Sequence, residues 1–372
     1  MGKEKLGIYI HVPYCVRKCN YCDFFSQTFS RAERSPAEYF RCLVSDIETA
    51  GTIWRGRFEV DSVFFGGGTP SAVEPELLCG ALDELGHAFH LTEDAEISLE
   101  ANPGTISRKS LEAYRAAGFN RISVGVQSLD DGVLRIMGRI HSADEGLEAL
   151  KLAKSVFPSV NADLMIGTPG QTLDIWLEGL KRVLNEEPQH LSFYSLQLEE
   201  GTPFYEEYRT GKLELPAWEE NREMYHRGLE LIKSAGYRHY EISNAAKPGY
   251  ECCHNLKYWT MRPYLGLGRT AHSFIDGVRF AEKPAPGPED AAEDRDSLRG
   301  DFIFTQLRLI EGLDEGFYEE LFGSSFISDF ASPLWELFAQ DLLFRPSPGR
   351  VAFTEKGLDL TNPVMQRLLE EL

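Results

Sequence analysis

Strand-like and helix-like segments alternate six times across about 190 residues of this chain, and no other feature restricts its fold as tightly. Leu6–Val12, Ser62–Phe65, Glu96–Glu100, Arg121–Gln127, Asn161–Ile166 and His190–Leu198 are apolar, β-branched runs that read as strands. Helix-like stretches lie between them near residues 36–54, 74–90, 107–117, 142–155 and 172–186. Ser107, Ser142 and Thr172 stand where side-chain caps open a helix. Such alternation predicts an α/β fold of parallel strands joined by right-handed crossovers, here a partial (β/α)6 barrel. In a barrel, ligand groups gather where the strands end.

After Leu198 the pattern changes. A helix near 218–235 precedes a strand at Arg238–Ser243. Glu282–Ser297 is rich in Pro, Ala, Glu and Asp and reads as a solvated linker. Beyond it come Asp301–Ile310, a helix near 328–343, a hairpin around Pro346–Gly349 and a last helix from Asn362-Pro363, the pattern of a small winged-helix-like unit. The expected division is a core barrel over 1–235, an extension over 236–281, an acidic Pro/Ala-rich linker over 282–298 and a helical C-terminal domain over 299–372.

Charge narrows the partners. Lys and Arg total 38 against 58 Asp and Glu, a net charge of −20. That field repels phosphate, so nucleic acid is not an expected partner even for a winged-helix-like unit. It also disfavours docking on anionic lipid. No apolar run reaches the roughly 18 to 20 residues of a membrane helix. The start, Met1-Gly2-Lys3-Glu4-Lys5, leads at once into a strand-like run rather than a secretory leader. The expected location is the cytoplasm.

The chain has 7 cysteines, an odd number, and three of them fall in Cys15-Val16-Arg17-Lys18-Cys19-Asn20-Tyr21-Cys22. A secreted disulfide framework does not look like this. Three thiolates at C-x3-C-x2-C spacing can each ligate one iron of a cubane cluster and leave the fourth iron open. The competing readings are three buried thiols and a zinc site, for which His11 or Cys252 would have to supply the fourth ligand.

The segment Tyr9-Ile-His-Val-Pro-Tyr-Cys15, followed by Cys19-Asn-Tyr-Cys22-Asp-Phe24, resembles the radical SAM superfamily. Within it the chain resembles the branch that holds oxygen-independent coproporphyrinogen III dehydrogenase and the HemW-type heme chaperones. The likeness runs nearly the whole chain, through Phe65-Gly-Gly-Gly-Thr-Pro-Ser71, Glu100-Ala-Asn-Pro103, Val124-Gly-Val-Gln-Ser128, Asp163-Leu-Met-Ile-Gly-Thr-Pro-Gly170 and His254-Asn-Leu-Lys-Tyr-Trp259. It implies a [4Fe-4S] cluster on Cys15, Cys19 and Cys22, and S-adenosylmethionine (SAM) chelating the open iron. One-electron cleavage of that SAM would give a 5′-deoxyadenosyl radical.

Individual residues carry both a bland and a functional reading. Gly66-Gly67-Gly68-Thr69 makes at least a tight strand-to-helix turn; exposed N–H groups there can also bind a carboxylate or an amine-bearing ligand. The resemblance gives Gly67, Gly68 and Thr69 the methionine end of SAM. It likewise implies SAM contacts for Glu100, Gln127, Arg139 and Asp163, and places Tyr9 and Tyr21 beside SAM near the cluster. Without it Glu100 and Arg139 would be surface charges and the tyrosines core packing.

Two departures separate the branches. The dehydrogenases carry a fourth cysteine where this chain has Phe24, and an extension before the first strand that this chain lacks. His254-Asn-Leu-Lys-Tyr-Trp259 matches the heme-handling motif of the chaperone group, with His254 as the implied axial ligand; the plain alternative is a core turn with a hydrogen-bonded histidine. Cys252 and Cys253 are further thiolate candidates, whereas Cys42 and Cys79 read as buried apolar residues. Arg269 either pairs with a ligand carboxylate or faces water. The resemblance therefore points to a chaperone that binds a [4Fe-4S] cluster, SAM and heme. Its partners would be an electron donor and acceptor hemoproteins, such as those of the respiratory chain. Dehydrogenation of coproporphyrinogen and a purely structural cluster are the alternatives.

Overall fold

In the computed structural model, which describes residues 3–372, the alternation becomes an eleven-stranded sheet. Met1 and Gly2, the start of the stretch read as lacking a leader, lie outside these residues. Six strands follow one another in parallel: β1 (Glu4–Val12), β2 (Phe58–Gly67), β3 (Leu91–Ala101), β4 (Arg121–Gln127), β5 (Ser159–Ile166) and β6 (His190–Ser195). Later strands are β7 (Arg238–Glu241), β8 (Asn244–Ala246), β9 (Tyr264–Leu267), β10 (His272–Ile275) and β11 (Val278–Ala281). β9 pairs parallel with β1, and β8 pairs antiparallel with β6. The 236–281 segment, read from sequence as an extension, thus builds both edges of the barrel sheet. The sheet remains open, with β11 and β7 at its ends.

The crossover helices are Pro36–Trp54, Pro75–Ala88, Arg108–Ala117, Ala143–Lys154 and Leu173–Asn185. Ser107 and Ser142 accept from backbone N–H groups in capping boxes, and Thr172 accepts from the Ile175 N–H, so the predicted start signals act as caps. One face of each strand packs on these helices: Val63, Phe65, Leu99, Ile122 and Val160 share a core with Leu43, Ile47, Leu78 and Leu180. The alternate positions face the barrel lumen and are polar. Ser62, Ser98, Ser123, Asn161 and Ser192 are all buried. Burial of that kind is tolerated because the groups bond one another. The Asn161 amide bonds Ser123 and Ser192 at 2.7 and 2.9 Å, and His190 bridges Asn161 and Tyr240 at 2.7 Å each.

The C-terminal part packs Arg295–Gln306, Glu315–Phe322, Ala331–Ala339 and Thr361–Leu369 around a three-stranded antiparallel sheet and its own core of Phe302, Tyr318, Phe326 and Val351. The helix expected near 328–343 ends at Ala339, because Asp341 at φ +57° turns the chain toward strand Leu343–Phe344. The segment read as a linker is docked. The Trp54 indole donates to the Pro284 carbonyl at 2.8 Å, Val278 and Ala292 form a β-bridge, and the next helix starts inside the expected linker at Arg295. Among the described residues no helix is long and apolar enough to cross a membrane.

Candidate functional site

All six barrel strands are parallel, so their C-terminal ends form one mouth, and the cysteine loop leaves β1 there. Tyr14–Cys15 pairs in parallel with Gln27–Thr28, which closes the loop that carries Cys19 and Cys22. The loop is pinned from the other side: the Asn20 N–H donates to the Met137 carbonyl at 3.0 Å, its side chain donates to Ile136 at 2.8 Å, and the Phe204 N–H donates to the Asn20 carbonyl at 3.0 Å. Cys15 is buried, while Cys19 and Cys22 are half-buried. Burial raises the Cys15 thiol above its usual pKa and pushes Cys22 up to about 11. Metal binding here must therefore displace thiol protons. Among the described residues no three His, Cys, Asp or Glu side chains converge as on a single ion. A cubane does not need that, since each thiolate takes its own iron.

Two of the sulfurs already have partners. The Thr69 hydroxyl lies 3.4 Å from Cys15 Sγ, and Arg139 Nη1 donates to Cys19 Sγ at 3.4 Å. Arg139 is no surface group. It also donates to Asn102 and to the Gly125 carbonyl, and its Nε–H is buried without a partner, a donor left over at the mouth. Tyr21 packs with Val133, Met137 and Phe204, and so anchors the loop. A thiolate-rich loop with an orphan cationic donor beside it fits an iron–sulfur cluster with an anionic ligand.

The glycine turn differs from the sequence reading in one respect. Its N–H groups are not free for a ligand. Gly67 donates to Glu100 Oε2 at 3.1 Å, Gly68 to the Val12 carbonyl at 2.9 Å and Thr69 to the Tyr14 carbonyl at 2.7 Å. The turn needs glycine for space: a Cβ on Gly68 would sit 2.7 Å from the Tyr14 carbonyl, and on Gly67, at φ +109°, 2.4 Å from the His11 ring. What the turn retains for a ligand is carbonyl acceptor capacity, which suits an amine rather than a carboxylate.

Glu100 lies enclosed near the end of β3. Burial first, then repulsion from Asp163, raises its pKa to about 7. Asp163, midway along β5, accepts from Ser123 and Asn161 at 2.7 Å each, and burial raises its pKa too. Gln127 closes β4 at φ +64°, a strained conformation for a non-glycine residue of the kind concentrated at ligand sites. Tyr9 lies in the lumen against Phe64, and its hydroxyl meets His11 Nδ1 at 3.1 Å. The structure thus gathers Cys15, Cys19, Cys22, Thr69, Glu100, Gln127 and Arg139 at one mouth.

Other candidates are placed elsewhere. His254 is 1% exposed, on the short helix Cys253–Trp259. Nδ1 meets the Ser62 hydroxyl at 3.1 Å, Nε2 meets the Tyr258 hydroxyl at 2.8 Å, and the ring stacks on Phe64. Burial lowers its pKa to about 3. Both nitrogens are engaged in this geometry, the arrangement that the plain core reading of His254 expects. His11 likewise uses both nitrogens, on Tyr9 and on the Phe25 carbonyl at 2.9 Å, and supplies no zinc ligand. Cys252 is buried and its thiol donates to Glu96, burial holding the thiol well above its usual pKa, while Arg121 lies 3.9 Å from the same carboxylate; the site lies far down the strands from the cysteine loop. Cys42 is exposed and Cys79 half-buried, not the buried pair expected, since each sits at the edge of its helix's apolar face. Arg269 pairs with Glu33 at 2.6 Å and covers the Phe25 ring. Arg121, Ser123 and Asn161 went unmarked in the sequence reading, and Asn102 entered it only within Glu100-Ala-Asn-Pro103. The signal for the first three was the polar residue at every second position of β4 and β5.

A barrel of parallel strands with three cysteines in the loop after the first defines a radical SAM protein. The family model described as Radical SAM superfamily matches residues 9–183. The chain is 38% identical over 338 residues to "Heme chaperone HemW" of Escherichia coli, covering 90% of this chain and 85% of that protein, and it belongs to the HemW family of the superfamily. It is 41% identical over 287 residues to "Radical S-adenosyl methionine domain-containing protein 1, mitochondrial" of Bos taurus, a match that covers 77% of this chain but only 63% of the bovine protein. The structure of coproporphyrinogen III oxidase (HemN) from Escherichia coli superposes with a TM-score of 0.82 at 23% identity, over 100% of this chain and 91% of that one, and so shares the fold. The cofactors of the superfamily are a [4Fe-4S] cluster and SAM.

Proposed function

We propose that this chain is a heme chaperone of the radical SAM class. Cys15, Cys19 and Cys22 hold the cluster. The carbonyls of the Gly67–Thr69 turn, with Glu100, receive the amine of SAM, and Arg139 faces its carboxylate. Gln127 and Asp163 border the rest of that ligand, and Tyr9 and Tyr21 wall it from water. When bound, the cluster supplies one-electron chemistry to SAM. The chain's own groups orient SAM, and the pinned loop excludes solvent.

The observation that carries the chaperone reading is Phe24, 64% exposed on the cluster loop where the dehydrogenases carry a fourth cysteine. With Val16, 51% exposed, it presents apolar surface beside the cluster, which suits a planar macrocycle such as heme. In this reading the protein receives an electron from a donor, binds heme and passes it to acceptor hemoproteins in the cytoplasm or at the respiratory chain. It does not convert coproporphyrinogen III. The test is anaerobic reconstitution with heme and with coproporphyrinogen presented separately. Stoichiometric heme uptake without porphyrinogen turnover supports the chaperone, and SAM-dependent decarboxylation assigns the dehydrogenase instead.

A further inference from the structure

Asn102 joins the two sulfur contacts into one chain. Its side chain lies between Thr69 and Arg139: Nδ2 donates to Thr69 Oγ1 at 2.8 Å, and Oδ1 accepts from Arg139 Nη2. At the two ends, the Thr69 hydroxyl reaches Cys15 Sγ and Arg139 Nη1 reaches Cys19 Sγ, each at 3.4 Å. One small amide therefore connects the partners of two cysteines 4 residues apart on the loop.

Donor chemistry fixes the hydrogens at Asn102, and with Cys15 as a cluster thiolate it fixes the Thr69 proton as well. A guanidinium only donates, so the amide oxygen must face Arg139. The amide nitrogen then faces Thr69 and uses an acceptor site of its hydroxyl. That leaves the Thr69 proton directed at Cys15 Sγ, which as a thiolate could only accept it. Backbone and packing also hold Asn102 at this place. Its N–H donates to Ser71 Oγ at 3.2 Å, and β4 leaves room for it only because residue 125 is glycine, where a Cβ would lie 2.5 Å from Asn102 Oδ1.

We infer that Asn102 is a positioning residue that holds one hydroxyl and one guanidinium donor on the Cys15 and Cys19 sulfurs and so raises the reduction potential of the cluster. Hydrogen bonds and positive charge at the sulfurs stabilise the more negative, reduced state. The inference rests on the proposed cluster ligation by these cysteines.

The test compares the reconstituted full chain with Asn102→Asp and Thr69→Val by redox titration followed by electron paramagnetic resonance. Iron and sulfide content of the unsubstituted chain is measured first, and this checks the ligation itself. Asn102→Asp keeps the shape and the Arg139 pair, but a carboxylate cannot donate, so the Thr69 hydroxyl turns from Cys15 to the new acceptor. The potential should fall. Thr69→Val removes only the hydroxyl and should lower it too. The double variant should fall by less than the two shifts added, because both act on one contact. Potentials equal to that of the unsubstituted chain in either cluster-bearing variant would overturn the inference. Failure of both variants to hold a cluster overturns it as well, since the chain would then serve assembly rather than potential.

Discussion

Glu100 accepts the Gly67 N–H at 3.1 Å, which ties the acidic end of β3 to the glycine turn that ends β2. The bond needs glycine on both sides of the turn, because a Cβ on Gly66 would lie 3.0 Å from the same carboxyl oxygen. A carboxyl placed in this way is poised to meet an amine: enclosed, beside Asp163, and half-neutral near pH 7.

Without ligand that placement costs stability at alkaline pH. The folded pKa of about 7 stands above the ordinary 4.5. The neutral form therefore favours folding below pH 4.5, and its contribution is lost as pH rises through 7. Glu100→Gln should raise the melting temperature of the ligand-free chain at pH 8 and leave it nearly unchanged at pH 4. The gain is at most roughly 3 kcal/mol, from about 1.4 kcal/mol per pKa unit. The same substitution should weaken SAM binding. Parallel melting curves of the two proteins across this pH range would contradict the assignment.

His254→Ala separates a core histidine from a heme ligand. Removing the ring leaves the Ser62 and Tyr258 hydroxyls unpaired and a cavity beside Phe64, so the ligand-free chain should lose about 2–4 kcal/mol in urea unfolding at pH 7.5. A folded pKa near 3 lies below the ordinary 6.5, so the histidine's contribution is present above pH 6.5 and lost as pH falls toward 3. Heme absorption of the folded fraction should not change. Full stability with an altered heme spectrum would restore the axial role.

Cys15→Ala, Cys19→Ala and Cys22→Ala should each abolish cluster assembly, read as iron and sulfide per chain, because three ligands are the minimum for the open-iron cubane. Cys42→Ala should retain full content, since Cys42 is exposed on the first crossover helix. Phe24→Cys should keep the cluster and gain no activity on coproporphyrinogen, because one added thiol does not position a substrate. Iron retained in any of the first three variants would move the cluster elsewhere.

The six-strand alternation and the cysteine spacing were legible because each is local: strand period, cap residues and C-x3-C-x2-C lie within short windows. Long-range pairing was not. Nothing near Tyr264–Leu267 announces that it will lie parallel to β1, nor that Asn244–Ala246 will close the opposite edge. The polar lumen was half legible. Arg121, Ser123 and Gly125 alternate with Ile122 and Val124, but a run with both faces covered reads first as apolar. His254 shows the limit of a motif. The residues match, yet the Ser62 partner that the imidazole meets is brought to it by packing from β2, about 190 residues earlier in the chain.

Arg308 couples the C-terminal part to the barrel, and its loss should be the most damaging change away from the cluster. Its guanidinium lies 3.4 Å from Glu241, which is fully buried at the sheet edge, and 4.4 Å over the ring of Trp259. Arg308→Leu leaves the Glu241 carboxylate with only the Asn244 side chain and the Ser243 N–H, an uncompensated buried charge worth about 3–5 kcal/mol. The variant should unfold at lower urea and be cut faster by protease within Glu282–Ser297, as the C-terminal part detaches from the sheet edge. Adding Glu241→Gln removes the charge while keeping an acceptor for Asn244, so the double variant should recover more than half of the loss. If it recovers none, the damage comes from lost packing on Trp259, and the ion pair contributes little.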